Sequence, residues 1–250
     1  MSSKPRRANL KGPGRCIFCG AHGLTHEHMW ADWLKNYIPR TASYHTTAKT
    51  LVHPELEDQT TISKRMGDFY ARRIYCVCGR CNNDWMSRLQ EETKPFLVPM
   101  LEGRATVLHK RAQRFLAAWT AMMVMAAEYA ERELIAIPAS DRTFLREENK
   151  PPEHWHIWIG AHRNQDFPPY SHFVSEFIEN ETQGSSDGLS EAPNTQTTTI
   201  CVGDHLVIFA MSSIIGNDLF RRWLFACAYP FRPAQDIAPR RPDGRCPMGN

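Results

Sequence analysis

Apolar residues recur every three or four positions through the middle of the chain. Leu108, Ala112, Phe115, Leu116, Trp119, Met122, Met123, Ala126 and Ala130 fall on one helical face, which predicts a long amphipathic helix from Arg104 to about Glu133. Three shorter helices are expected. Trp30, Trp33, Leu34 and Tyr37 share a face that Pro39 ends. Asn82 opens a helix with Trp85, Met86 and Leu89 on one side, running to Pro95. Ser140 caps a third, Asp141–Lys150, stopped by Pro151-Pro152. Beyond it the period becomes two: His154–Ile159, Tyr170–Ile178, Thr197–Val202 and His205–Met211 read as strands, the last two joined by the hairpin signal Gly203-Asp204. Two short strands, Leu24–Met29 and Arg73–Val77, flank a polar stretch, 43–73, that reads as a loop or hairpin insertion. Asn180–Asn194 reads as a loop. The expected class is α+β.

Composition adds a charge asymmetry. The 250 residues carry a net charge of +3, but Met1–Lys110 has 17 Lys/Arg against 10 Asp/Glu, leaving 13 against 17 for the remainder. A basic first half suits a polyanionic partner. No apolar run approaches the roughly 18 residues of a membrane span, and the basic start is not followed by the apolar stretch of a secretory signal. A cytoplasmic protein without a membrane partner is the expectation. Residues 1–14 read as a flexible basic arm, 15–103 as the first domain, 104–235 as a helical and β domain, and 236–250 as a flexible tail.

Eight cysteines in such a chain point to metal or free thiols rather than disulfides. Four form two C-x-x-C pairs, Cys16/Cys19 before Gly20 and Cys78/Cys81 before Asn82. Two intervening residues let both thiolates of a pair reach one ion, and four such ligands make a structural Zn²⁺ site. One pair on a knuckle and one at a helix N-terminus is the treble-clef arrangement, where the positive helix end favours thiolates. Cys76 could supply an alternative ligand, but the spacing of Cys78/Cys81 repeats that of Cys16/Cys19.

Between the pairs lies Thr25-His26-Glu27-His28, and the second pair runs into Cys81-Asn82-Asn83-Asp84-Trp85-Met86. This combination resembles the zinc-containing HNH endonucleases of the ββα-metal type, in a bacterial and phage branch, over about residues 15–103. The resemblance implies a metal-dependent endonuclease that hydrolyses phosphodiester bonds of DNA. His28 would be the general base, and Glu27 and Asn82 would hold a catalytic Mg²⁺ or Mn²⁺. RNA stays open as a substrate, because the chemistry acts on the phosphodiester and not on the base. The family's middle Asn, which orients the base, has no counterpart in the sequence. His26 would share a side with His28 in a regular strand; it reads either as a further ligand or phosphate contact, or as a solvated neighbour. His154 and His156 read as a half-exposed sheet face.

The second half carries no motif. Its long helix could place DNA through its basic opening or form a homodimer. The competing reading of the whole chain is a non-catalytic zinc module that binds nucleic acid or a protein. Such a module needs the cysteines but not Glu27, His28 and Asn82.

Overall fold

In the computed structural model, residues 14–38, 42–51, 59–161, 169–175 and 194–213 are described. The arm at 1–13, most of the 180–194 loop and the tail at 236–250 lie outside them. The fold is α+β. Among the described residues three sheets, all antiparallel, are joined by helices. Among the described residues no helix is long and apolar enough to cross a membrane.

The first unit is a two-stranded pair, β1 (Leu24–His28) with β4 (Arg73–Cys78), feeding directly into a helix. Leu24 lies opposite Cys78 and His28 opposite Arg73, and the register shifts between Thr25 and Glu27. The helix begins as α1 (Gly79–Cys81), widens into a π turn over Asn82–Met86, and continues as α2 (Ser87–Leu101). Asn82 therefore does not open it. Cys78 is the N-cap, and its sulfur accepts from the Cys81 N–H at 3.4 Å. Nor does Pro95 end α2, which passes through Pro95 and Pro99. The acceptors stranded by the two prolines, the carbonyls of Glu91 and Pro95, belong to exposed residues that water can reach.

The polar stretch after β1 is a hairpin. β2 (Tyr44–Leu51) pairs with β3 (Gln59–Met66) over eight unbroken positions. Every residue of β3 is exposed. The hairpin is clasped at its root, where Asp68 accepts from the Ala42 N–H at 3.0 Å and from the Tyr70 N–H at 2.8 Å. The helix expected over Trp30–Tyr37 is a short 3-10 turn, Asp32–Asn36.

The long helix is α3 (Lys110–Ala127), shorter at both ends than its periodicity suggested. His109 starts it, Nδ1 accepting from the Ala112 N–H at 3.3 Å. Arg104 lies outside it. From Ala118 to Ala127 every residue is buried, including Met122, Met123 and Met125. That half is covered on all sides, which a one-faced amphipathic pattern did not foretell. α4 (Ala139–Glu148) follows Pro138, not a Ser140 cap, and Asn149 ends it in the left-handed conformation at φ 50°. The four-stranded sheet has the order β5 (Trp155–Ala161), β8 (Leu206–Ser213), β7 (Thr195–Val202), β6 (Tyr170–Ser175).

One hydrophobic core runs through both halves of the chain. It joins Phe18, Trp30 and Met86 beside the first strand pair to Leu97, Leu116 and Trp119 between α2 and α3, and to Ile200, Ile208 and Ala210 of the sheet. Within it sits a buried ion pair. Arg142 on α4 donates from Nη2 to Glu128 Oε2 at 2.7 Å and from Nη1 to the Ile137 carbonyl at 2.7 Å. Glu128 Oε1 also accepts from the Ala136 and Ile137 N–H groups at 3.0 and 3.2 Å. Burial pushes the Glu128 carboxyl up to about 7, against the pull of Arg142 and these donors. With both partners almost fully buried, Arg142→Ala removes the guanidinium from a carboxyl in the core and leaves it only its backbone donors and the nearby His172. It should cost about 3–5 kcal/mol, read as a drop in the midpoint of denaturant unfolding.

Candidate metal centre and adjoining polar site

The first cysteine pair sits on a tight turn. Cys16 N–H donates to the Ala21 carbonyl at 2.8 Å and Gly20 N–H to the Cys16 carbonyl at 2.9 Å. Gly20 takes φ 69°, a conformation that costs glycine nothing. The Ile17 N–H donates to the Cys76 carbonyl at 3.0 Å and docks the turn on β4. The second pair spans the end of β4 and the first helical turn. The four sulfurs of Cys16, Cys19, Cys78 and Cys81 lie within 4.8 Å of one another. Cys19 and Cys78 are 3.6 Å apart and form no disulfide. A tetrahedral ion with bonds of about 2.3 Å spaces its sulfurs about 3.8 Å apart. The cluster can therefore hold a metal such as zinc. Burial pushes the Cys16 and Cys81 thiols up; at Cys19 the Ala21 N–H and the neighbouring thiols outweigh burial and bring it down to about 7. Bound zinc would deprotonate all four.

Cys76 is outside this cluster. It is fully buried one residue before the turn into Cys78, and burial pushes its thiol up to about 12. Strand alternation separates Cys76 from Val77 but leaves Cys76 and Cys78 nominally on one side; the knuckle that docks beside Cys76 is what selects Cys78.

About one strand-length from the sulfurs, the far end of β1 carries the polar residues. Glu27 is half-buried. Its carboxyl is raised by burial, while Arg73 and a hydrogen bond from the Asn82 side chain pull it down. A residue from β1 and one from the π turn thus meet in space, 55 positions apart in the chain. Single π turns inside α-helices are frequent at functional sites. Next to Glu27, His28 Nε2 accepts from Arg73 Nε at 3.1 Å. A guanidinium can only donate, so His28 must present its lone pair there and carry its proton on Nδ1. Asp32 Oδ1 is 3.8 Å from the same nitrogen, beyond hydrogen-bond range. It is itself tied to Lys35 at 2.6 Å.

His26 is not part of this group. It is exposed, its ring lying against Tyr75 with centroids 5.0 Å apart. Among the described residues, the four cysteines are the only cluster of three or more His, Cys, Asp or Glu placed to share an ion. A second ion at the polar site would have Glu27 and the Asn82 amide as its protein donors. Asn83 is exposed, and Asp84 pairs with Arg88 at 3.0 Å. Met86 is core, and the half-buried Trp85 packs against that core, edge-on to Phe18 at 5.0 Å. Farther off, Asp141 accepts from His154 Nε2 and Trp155 Nε1, both at 2.8 Å, and so joins α4 to β5. His156 lies against Trp158.

Arg73 and Asp32 are the residues that the sequence did not single out. Arg73 could have been found by treating β1 and β4 as a pair and counting back from the cysteines, but the register shift defeats a strict count.

Cys81→Ser should lower bound zinc, measured by elemental analysis, from about one ion per chain to near none. Loss of a metal site ranks with the severe destabilisations of about 4 kcal/mol or more, so its melting temperature should fall together with that of chelator-treated wild type. Cys76→Ser should keep the zinc. No family model, curated protein or solved structure matches this chain, so the case for its chemistry rests on these residues.

Proposed function

We propose that residues 15–103 form a zinc-stabilised HNH-type nuclease domain and that the protein is a metal-dependent endonuclease acting on DNA. The observation that carries this reading is the meeting of Glu27 and Asn82 across the strand pair and helix, with His28 next in the chain. A module that only binds needs the four sulfurs, not a half-buried carboxyl held by an amide beside a histidine. The knuckle, strand pair and helix also follow the order that the ββα-metal resemblance implies.

The donor set fits Mg²⁺ or Mn²⁺. These ions take oxygen ligands, commonly one or two from the protein, and keep several waters. Glu27 and Asn82 would hold the ion, which would stabilise charge on the scissile phosphate and the leaving oxygen. His28 would take the proton at Nε2, the nitrogen that accepts from Arg73 in the free protein, with Nδ1 already carrying one. In the reaction the water oxygen bonds to phosphorus as its proton passes to Nε2. The P–O3′ bond then breaks, and the leaving oxygen takes a proton from solvent, giving 5′-phosphate and 3′-hydroxyl ends. The positive charge of the first half supplies affinity for phosphates without reading sequence.

The test is cleavage of supercoiled plasmid with Mg²⁺ or Mn²⁺, beside His28→Ala and an EDTA control, with zinc measured on each preparation. The expected result is metal-dependent nicking or linearisation that falls by about 10²–10⁴ in His28→Ala at unchanged zinc. A folded, zinc-loaded wild type that cuts neither plasmid, single-stranded DNA nor RNA would overturn the reading in favour of a binding module.

A further inference from the structure

The lone pair that the proposed reaction needs is occupied. Arg73 stands directly opposite His28 in the strand pair and donates Nε–H to His28 Nε2 at 3.1 Å. A water cannot give its proton to a nitrogen that already accepts from a permanently charged guanidinium. Either His28 is not a base or Arg73 has to leave it.

Other cations nearby have fixed work. Lys35 is held by Asp32 at 2.6 Å. Arg88 is held by Asp84. Arg72, next to Arg73, donates to the Ala130 carbonyl at 2.9 Å and to Glu131 at 3.0 Å and ties the strand pair to the 3-10 turn that follows α3. Arg73 differs in kind. It is exposed, its hydrogen-bond acceptor is a neutral ring, and the carboxylate it attracts, Glu27, interacts with it through charge and not through a close ion pair. A phosphate diester offers charged oxygens in a geometry that matches the guanidinium fork, and such charge-assisted bonds are roughly twice as strong as neutral ones. A phosphate brought to the Glu27 end of β1 would compete well for this side chain.

We propose that Arg73 is the phosphate-binding residue of this site and that it caps His28 until substrate arrives. An incoming phosphate draws the guanidinium off the imidazole and so uncovers Nε2. One hydrogen bond is exchanged for a stronger one, and the base becomes available only when there is something to cut. Arg73 also answers the missing middle Asn of the HNH pattern. In the free protein it holds the His28 ring and fixes its tautomer, by donating to Nε2 where an acceptor on Nδ1 would do the same from the other side. This inference rests on the nuclease reading for its biological meaning, but the cap itself is a property of the free protein.

The experiment uses the full-length, zinc-loaded chain without added Mg²⁺ or Mn²⁺. Its histidine ring nitrogens are followed by ¹⁵N NMR while a dinucleoside monophosphate is added. His28 is assigned from His28→Gln, and Arg73→Ala and Arg73→Lys are run in parallel. In wild type the His28 Nε2 signal should move on titration, as its donor leaves. In Arg73→Ala it should start displaced and respond little, and the dinucleotide should bind about tenfold or more weakly. Arg73→Lys should recover part of the affinity. Zinc content and melting temperature, equal across the set, exclude a folding defect. Equal affinity in wild type and Arg73→Ala, or a wild-type His28 signal that ignores the dinucleotide, overturns the proposal. If the NMR and affinity results hold but no nucleic acid is cut in the plasmid assay, the nuclease reading fails and the phosphate site stands.

Discussion

Four sulfurs within 4.8 Å bring together two stretches of chain that the long excursion of β2 and β3 separates in sequence and that the β1–β4 pairing also joins. Cys16 and Cys19 lie on a turn whose two middle residues anchor it, Phe18 in the core against Trp85 and Ile17 through its backbone bond to Cys76. Cys78 and Cys81 mark the point where strand becomes helix, and the Cys78 sulfur is already the cap of that helix. An ion bound there would fix the angle at which the helix leaves β4. That angle sets how far the π turn, and Asn82 with it, stands from Glu27. With an ion bound, the two sites would be linked through geometry rather than through shared atoms.

The arrangement explains why the site can be small and exposed while its supports are buried. Cys76, Val77 and Cys78 turn inward, Arg73 and Tyr75 outward. Glu27 lies between the two regimes, half-buried, where a desolvated carboxylate gains from a cation or a donor. His28 and Arg73 close the end of the strand pair nearest the solvent. Behind them Arg72 and Arg65 both reach Glu131, at 3.0 and 2.8 Å. The hairpin, the strand pair and the 3-10 turn that follows α3 thereby share one carboxylate. The long helix contributes by being buried: its methionine-rich half fills the space between α2 and the sheet, and methionine's flexible side chain suits so irregular a junction.

Much of this was legible along the chain. Hydrophobic periods located the strands of the four-stranded sheet, the main helices and the hairpin at Gly203-Asp204, because a period of two or near 3.6 is a local property that burial of one face imposes. The exposed strand β3 has no such period, and its pairing with β2 read only as a loop or hairpin insertion. The paired cysteine spacings identified the four sulfurs, since two ligands on one turn have few ways to be spaced. Local signals misled where tertiary structure supplied the missing partner. Asn82 and Ser140 looked like caps, but Cys78 and Pro138 hold those places. Pro95 looked like a stop, yet its lost hydrogen bond falls at an exposed residue and packing of Leu97 and Leu101 carries the helix onward.

The residues by themselves therefore determined the α+β class and the four sulfurs that come together, which follow from hydrophobic period and cysteine spacing, whereas Glu27, His28 and Asn82 were nominated through the resemblance to the HNH endonucleases. Only the tertiary structure decided which of them meet. It joined Glu27 to Asn82, left His26 on Tyr75 outside the group, and set Arg73 against His28. The reason is the register of β1 on β4. That register shifts between Thr25 and Glu27, and it is a relation between strands far apart in the chain that no local pattern encodes.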